Sequence, residues 1–183
     1  IKISWAVFIG IWMMRIAHGL QGELMGVRSV IEEFKFIATG MMMTGYYVGY
    51  FVGSDIAPKL VSRVGHIRVF AAFASLASLS ILIIAAYVNP IVWTFARFIT
   101  GMSVVSCFVV AESWLNDRAN NRTPGKLLSV YMIITYTGLA LGMLLLNFDS
   151  PKNYKPFILV SILLSIALIP ILLTKRKAPK SKS

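Results

Sequence analysis

IVWTFARFITGMSVVSCFVVAES, residues 91–113, runs 23 residues with a single charge, Arg97, until Glu112 near its end. A helix needs about 20 apolar residues to cross ~30 Å of hydrocarbon, and this run has the length. Its apolar positions are continuous and do not alternate every second residue, which fits a helix in lipid and not a strand of a membrane barrel. Working outward, five further runs of the same kind lie at approximately 3–25, 36–54, 69–88, 127–147 and 157–174, and the one at 69–88 holds no charge at all. The connections at 27–35, 55–68, the tight Asn89-Pro90 turn, 116–126 and 148–156 are short. Consecutive helices are therefore expected to be antiparallel neighbours in a bundle. The reading is an all-α integral membrane protein with six transmembrane helices over 1–174.

Composition agrees. Of 183 residues 57% are hydrophobic and 14% are charged, against ~25% charged in a soluble domain. The mean hydropathy is +0.76 and the net charge +11. Most of that positive charge is a topology signal, because lysine and arginine are retained in cytoplasmic loops. With residue 1 inside, the inner segments hold Lys2; Lys59, Arg63 and Arg68; Arg118, Arg122 and Lys126; and Lys175, Arg176, Lys177, Lys180 and Lys182, whereas the outer loops hold only Arg28, Lys35, Lys152 and Lys155. Both termini are expected in the cytoplasm, in a multi-pass protein of the cell inner (plasma) membrane. The cations are scattered over separate loops without interleaved stacking aromatics, which sets nucleic acid aside as a partner. The first run is too long for a signal peptide, carries Arg15 and His18, and lacks a small-residue cleavage site. The chain opens on Ile1, and residues 175–183, KRKAPKSKS, read as a basic cytoplasmic tail or the start of a linker, so a fragment of a longer chain is expected.

Charge inside a membrane costs several kcal/mol and normally faces protein or a water-filled cavity, so each such residue is a site candidate. Arg15 and His18 stand one turn apart on one face of the first helix, and Arg97 lies about a turn and a half inside the fourth. Glu112 is fifteen residues from Arg97, ~22 Å along a helix, too far to neutralise it within that helix. The balance in the middle is positive. It suits a cavity for an anionic group, or a relay through His18, whose side-chain type changes charge near neutral pH. The plainer alternative has the arginines bonding helix carbonyls or snorkelling and His18 packing. Among the tyrosines Tyr46, Tyr47, Tyr50, Tyr131 and Tyr136, most read as interfacial anchors, and Tyr50 and Tyr136 are the two placed deep enough to offer a hydroxyl to a ligand.

Gly45, Gly49 and Gly53 recur every fourth residue of the second helix, and Gly138 and Gly142 repeat the spacing on the fifth. Such faces admit close backbone approach and signal helix packing. Enzyme constellations are missing. Neither Gly53-Ser54 nor Gly101-Met102-Ser103 forms an intramembrane serine-protease motif, there is no HExxH or phosphate-cradling glycine loop, and two histidines with the lone Cys107 are too few for a metal cluster or a disulfide framework. No enzyme activity, metal or cofactor is expected.

Between the second and third helices the chain reads GYYVGYFVGSDIAPKLVSRVGHIRVF, and the fourth helix carries RFITG followed by AESWLNDRA. The chain resembles the amino-terminal half of a major facilitator superfamily transporter, over essentially its whole length. The family's 2-3 loop pattern, Gly-x-x-x-Asp-Arg-x-Gly-x-Arg-Lys/Arg, is matched at Arg63, Gly65 and Arg68, and departed from at Pro58, Ser62 and Ile67. In the family that Asp joins a charge network latching the cytoplasmic gate; here Asp55, two helical turns before Ser62, is the candidate substitute. The helix-four pattern Arg-x-x-Gln-Gly appears as Arg97 to Gly101 with Thr100 in the Gln position, and in the family this arginine is associated with proton coupling. The resemblance implies two inverted three-helix repeats, cavity-lining first and fourth helices, and a substrate site near the midplane against a carboxy-terminal six-helix half. Pro124 and Gly125 with Arg118 and Arg122 resemble the second gate loop. The implied function is alternating-access transport of a small solute, with a lean to an anion from Arg15 and Arg97. The rival is a stand-alone six-helix protein acting as a homodimeric half-transporter or scaffold. An immunoblot of native membranes should show a band near twice 20.3 kDa; a band near 20.3 kDa itself would favour the rival.

Overall fold

Asn89 and Pro90 show how local chemistry starts a helix in this chain. The Asn89 side-chain oxygen accepts the Ile91 and Val92 amides at 2.9 and 3.3 Å, as an N-cap does. Pro90 follows at the first helical position, where its missing N–H costs nothing. The Trp93 indole then donates to the Ile84 and Tyr87 carbonyls at 3.1 and 2.7 Å, closing the end of the preceding helix. The computed structural model describes residues 2–118 and 124–173. Among them the order is α1 (Lys2–Ile31), α2 (Phe36–Val64), α3 (His66–Ala86), α4 (Pro90–Arg118), α5 (Pro124–Leu145) closed by a 3-10 turn at Leu146–Phe148, α6 (Lys155–Ile166) and α7 (Leu168–Leu172). Arg122 and the 175–183 tail fall outside the described residues.

Two expectations are corrected. The basic 55–68 stretch is not a loop, because α2 continues through Pro58 to Val64 and meets α3 at the single residue Gly65. Apolarity does not set the length of a hydrogen-bonded helix, and α2 continues well past its apolar run: its 29 residues extend ~43 Å. Gly65 sits at φ 88°, ψ 161°, a region only glycine occupies without strain. The expected 157–174 helix is present as one apolar segment, 155–172, whose hydrogen-bond ladder is only interrupted near Ala167, because Pro170 cannot donate a main-chain bond to Ile166. The turn after α1 is a Schellman motif: Phe34 N–H donates to Ser29 O at 3.0 Å and Glu33 N–H to Val30 O at 3.1 Å, with Glu33 in the left-handed region at φ 56°.

The expected packing of consecutive helices holds only in part: among the described residues α3 and α4 are the one consecutive pair of long helices that packs extensively, and the other close neighbours are not consecutive. α2 lies along α4, α1 along α5, and α3 packs between α4 and α6, with α6 also against α1. Short connections bring helix ends together but do not decide which helix lies alongside which; the glycine faces do. A Cβ on Gly49 would collide with the Phe98 carbonyl, one on Gly53 with the Met102 carbonyl, and one on Gly101 with the Tyr46 carbonyl, so α2 and α4 touch backbone to backbone from both sides. Gly142 meets the Ile16 carbonyl and Gly19 meets Leu139 in the same way between α1 and α5. Lipid tails are as apolar as leucine, so such close packing, rather than hydrophobic burial, holds helices together in a membrane. Ser78 adds polar contact from α3 to α6, within 2.6 Å of Ser161 Oγ.

The core is formed by α1, α3, α4 and α6, with Ile11, Leu20, Phe70, Ile81, Trp114 and Phe157 fully buried. Four segments, 66–86, 90–116, 128–148 and 155–172, are long and apolar enough to cross a membrane by length and composition. α1 and α2 are longer than any membrane requires, but polar side chains and glycines dilute them. Past the 128–148 segment, Asp149 accepts from Asn153 Nδ2 at 2.8 Å and Ser150 N–H at 2.7 Å and pairs with Lys155 at 3.3 Å, contacts that hold its carboxyl below the usual carboxylate range.

Gly49→Val should destabilise the purified protein by about 1–3 kcal/mol through overpacking. Gly26→Ala, where an added Cβ meets nothing within 4 Å, should leave the thermal midpoint unchanged or slightly raised.

Candidate functional site

The glycine contacts decide where the charges sit. Because Gly101 rests on the Tyr46 backbone, Arg97 one turn earlier on α4 is brought under the Tyr46 ring, its Cζ 4.2 Å from the ring centroid. On the other pair, an added Cβ at Gly138 would stand 2.6 Å from Arg15 Cβ; the bare α5 backbone there lets the Arg15 side chain lie between helices. Its Cζ is 3.6 Å from the Phe108 centroid. His18 joins the two halves, stacked on Tyr46 with centroids 5.9 Å apart and edge-on to Phe108 at 6.2 Å. Its Nδ1 is 3.4 Å from the Tyr46 hydroxyl.

Arg15, His18 and Arg97 therefore fall into one cluster spanning α1, α2 and α4, with rings between the two guanidinium groups. Arg97 is 5% exposed and its Nε is buried without a hydrogen-bond partner, as is Nε of Arg15. No acidic side chain forms an ion pair with either among the described residues. A cation over an aromatic face gains roughly 0.5–2 kcal/mol, less than the cost of a charge in the membrane interior. The cluster therefore carries positive charge that the rings offset only in part. Gln21 Nε2, Ser103 Oγ and Thr135 Oγ1 are also buried without partners, further hydrogen-bonding capacity left unspent in the helices that carry the arginines and in α5.

Arg15 has a second connection. Its Nη2 donates to the Tyr131 hydroxyl at 3.0 Å, and that hydroxyl donates to Glu112 Oε1. Tyr50 and Tyr136 lie differently: Tyr50 is 42% exposed with its ring 6.3 Å from that of Tyr46, and Tyr136 is 66% exposed on α5. Tyr46, Phe108, Tyr131 and Glu112 are thus the members of the cluster that sequence reading passed over. Only a 3.6-residue count relative to Gly49 and Gly101 could have pointed to Tyr46. Thr100 turns away from the cluster, bonded to Ser80 Oγ at 2.8 Å on α3 and to the Ala96 carbonyl.

At the basic end of α2, Asp55 pairs with Lys59 in its own helix at 2.6 Å, both exposed. Arg63 and Arg68 are exposed on either side of Gly65 and form no ion pair among the described residues. A separate groove of about 630 Å³ between α2 and α4, lined by Met41, Gly45, Val48, Thr94 and Phe98 among others, holds no charged residue. It lies apart from the chemistry of the cluster.

A polytopic bundle of apolar helices packed on glycine faces, with guanidinium groups held inside, is the architecture of a multi-pass membrane protein. Residues 6–183 match the family model of the Major Facilitator Superfamily, and the chain belongs to that family. It is 25% identical over 174 residues to the uncharacterized MFS-type transporter YcaD of Escherichia fergusonii, covering 95% of this chain and 46% of that protein. It is 26% identical over 171 residues to YcaD of Escherichia coli K12 (91% and 44%) and 25% identical over 166 residues to an MFS-type transporter of Enterobacter sp. strain 638 (91% and 44%). The chain spans about half the length of the curated relatives it matches.

Arg97→Lys should keep the charge but lose the flat guanidinium over Tyr46. The expected outcome is a fall in thermal stability of about 0.5–2 kcal/mol, read by unfolding of the purified protein, with Tyr46→Phe retaining stability because its ring face is unchanged.

Proposed function

We propose that the chain is the amino-terminal half of a secondary transporter that moves a small solute by alternating access, with an anion favoured as cargo. The observation that carries this reading is Arg97, buried with an unpartnered Nε and, among the described residues, no carboxylate counter-charge. In this reading Arg15 and Arg97 contact the solute or tune a proton site, His18 lies between them, and Tyr50 and Tyr136 extend the surface that faces the missing half. All six long apolar segments cross the inner membrane, both termini are cytoplasmic, and the 175–183 tail leads into a carboxy-terminal six-helix half.

Helix packing supports two inverted three-helix repeats. Advancing each helix by three positions turns the α1–α5 pair into α4–α2 and the α1–α6 pair into α4–α3, with the segment α6–α7 counted as the sixth helix, and these are the pairs that pack. Exposed apolar side chains on α2 and α5, such as Phe51, Tyr47, Ile133 and Leu144, offer surface to a second half. Asp55, Arg63, Gly65 and Arg68 form the cytoplasmic gate region, and the glycine faces of α2, α4 and α5 are where helices hold or slide during the transport cycle.

The full-length transporter reconstituted in liposomes, assayed with a panel of carboxylates, phosphorylated metabolites and neutral sugars, should take up an anion. Arg97→Ala and Arg15→Ala should each lower kcat/KM by about 10-fold or more, the worth of a hydrogen bond to a charged group. Unchanged rate and affinity in both variants would overturn the site. Proton coupling predicts that an uncoupler at constant solute gradient suppresses uptake; insensitivity would make the protein a uniporter.

A further inference from the structure

Arg15 and Arg97 are not equivalent cations. Among the described residues Arg97 rests on the Tyr46 ring with no hydrogen-bonded carboxylate, whereas Arg15 has, besides Phe108, a directed chain of hydrogen bonds that ends on a carboxylate. A phenol hydroxyl has one proton. Because it accepts from Arg15 Nη2, that proton goes to Glu112, so the hydroxyl relays the glutamate's negative charge to the guanidinium without direct contact. Glu112 itself is exposed on α4 and forms no ion pair with another cation among the described residues. Its carboxylate is not enclosed by the described helices, so letting go of Tyr131 does not strand it inside the bundle as opening a buried ion pair would. The link also ties three helices, α1, α4 and α5, and among the described residues α4 and α5 do not otherwise pack extensively along one another.

We propose that Glu112, acting through the Tyr131 hydroxyl, is an internal counter-ion that an incoming carboxylate or phosphate displaces from Arg15. The inference rests on the reading of the cluster as an anion site and adds a positioning residue to it. Tyr131 and Glu112 occupy Arg15 while the site is empty. A bound anion takes the Nη2 donor together with the unpartnered Nε, the two-pronged contact a guanidinium makes with a planar acid group, and Tyr131 is released. A neutral solute cannot replace the relayed charge. Selectivity for anions then comes from competition with Glu112 and not from attraction to Arg15 alone, and the release of α5 from α4 is tied to loading.

The test is thermal stability of the full-length transporter in detergent, titrated with citrate and with inorganic phosphate against chloride at matched ionic strength. Glu112→Gln removes the competing charge, and Tyr131→Phe removes the relay while keeping the ring. Each should lower the half-saturating concentration of the stabilising anion by three-fold or more, whereas Arg15→Ala should raise it. A variant that is merely damaged can only weaken binding, so tightening is a result that structural loss does not imitate. If Arg97→Ala weakens binding of the probe anion but Glu112→Gln and Tyr131→Phe do not tighten it, the counter-ion inference falls and the anion site stands. Tightening by Glu112→Gln without Tyr131→Phe would overturn the relay. If neither citrate nor phosphate stabilises the wild type or any variant, the anion reading and this inference fall together.

Discussion

Two helix backbones cannot touch unless one of them lacks side chains at the crossing, and α2 and α4 meet that condition from both directions. Gly49 and Gly53 give way to the Phe98 and Met102 carbonyls, and Gly101 gives way to Tyr46. In lipid this contact has no solvent-driven substitute, so the position of everything carried on these helices depends on it. Arg97 is one turn from Gly101 and Tyr46 one turn from Gly49. Their stacking follows from the crossing and needs no further device. The same holds on α1 and α5, where Gly138 and Gly142 bring the Arg15 turn against bare backbone.

The polar cluster is built on that frame as an alternation of cations and rings: Arg15, Phe108, His18, Tyr46, Arg97. Rings separate the two like charges and offer each a negative face, a modest contribution against the cost of keeping charge away from water. What remains is a net positive interior with unspent donors. At one end it is balanced through Tyr131 by Glu112, and at the other it is not balanced within the described residues. The asymmetry makes the two arginines inequivalent within one cluster.

Much of the fold was legible in advance, because length and continuous apolarity identify helices in lipid almost without competition. The order of the helices was legible too, but not their ends: α2 runs ten residues past its apolar stretch, and Gly65 stops it by backbone conformation. The glycine spacing announced tight packing but not with which partner, and the assumption that chain neighbours are space neighbours failed for α1 with α2 and for α4 with α5. In the site, Arg15, His18 and Arg97 stood out because charge in an apolar run is rare. Tyr46 and Tyr131 did not, because a tyrosine near a helix end is ordinarily an anchor, and because the Tyr131–Glu112 pairing joins residues 19 apart on two different helices.

Gly65 is the whole connection between a 29-residue helix and a 21-residue one. Two long rods joined by one residue share two soft torsions, so the joint behaves as a pivot with little slack: whatever tilts α2 must be taken up at that φ and ψ or transmitted to α3. Since α2 lies along α4 and α3 also packs on α4, the three helices form a closed linkage in which the shortest bar is a single glycine, and the arc through which it can swing is set by the conformational range of that one residue.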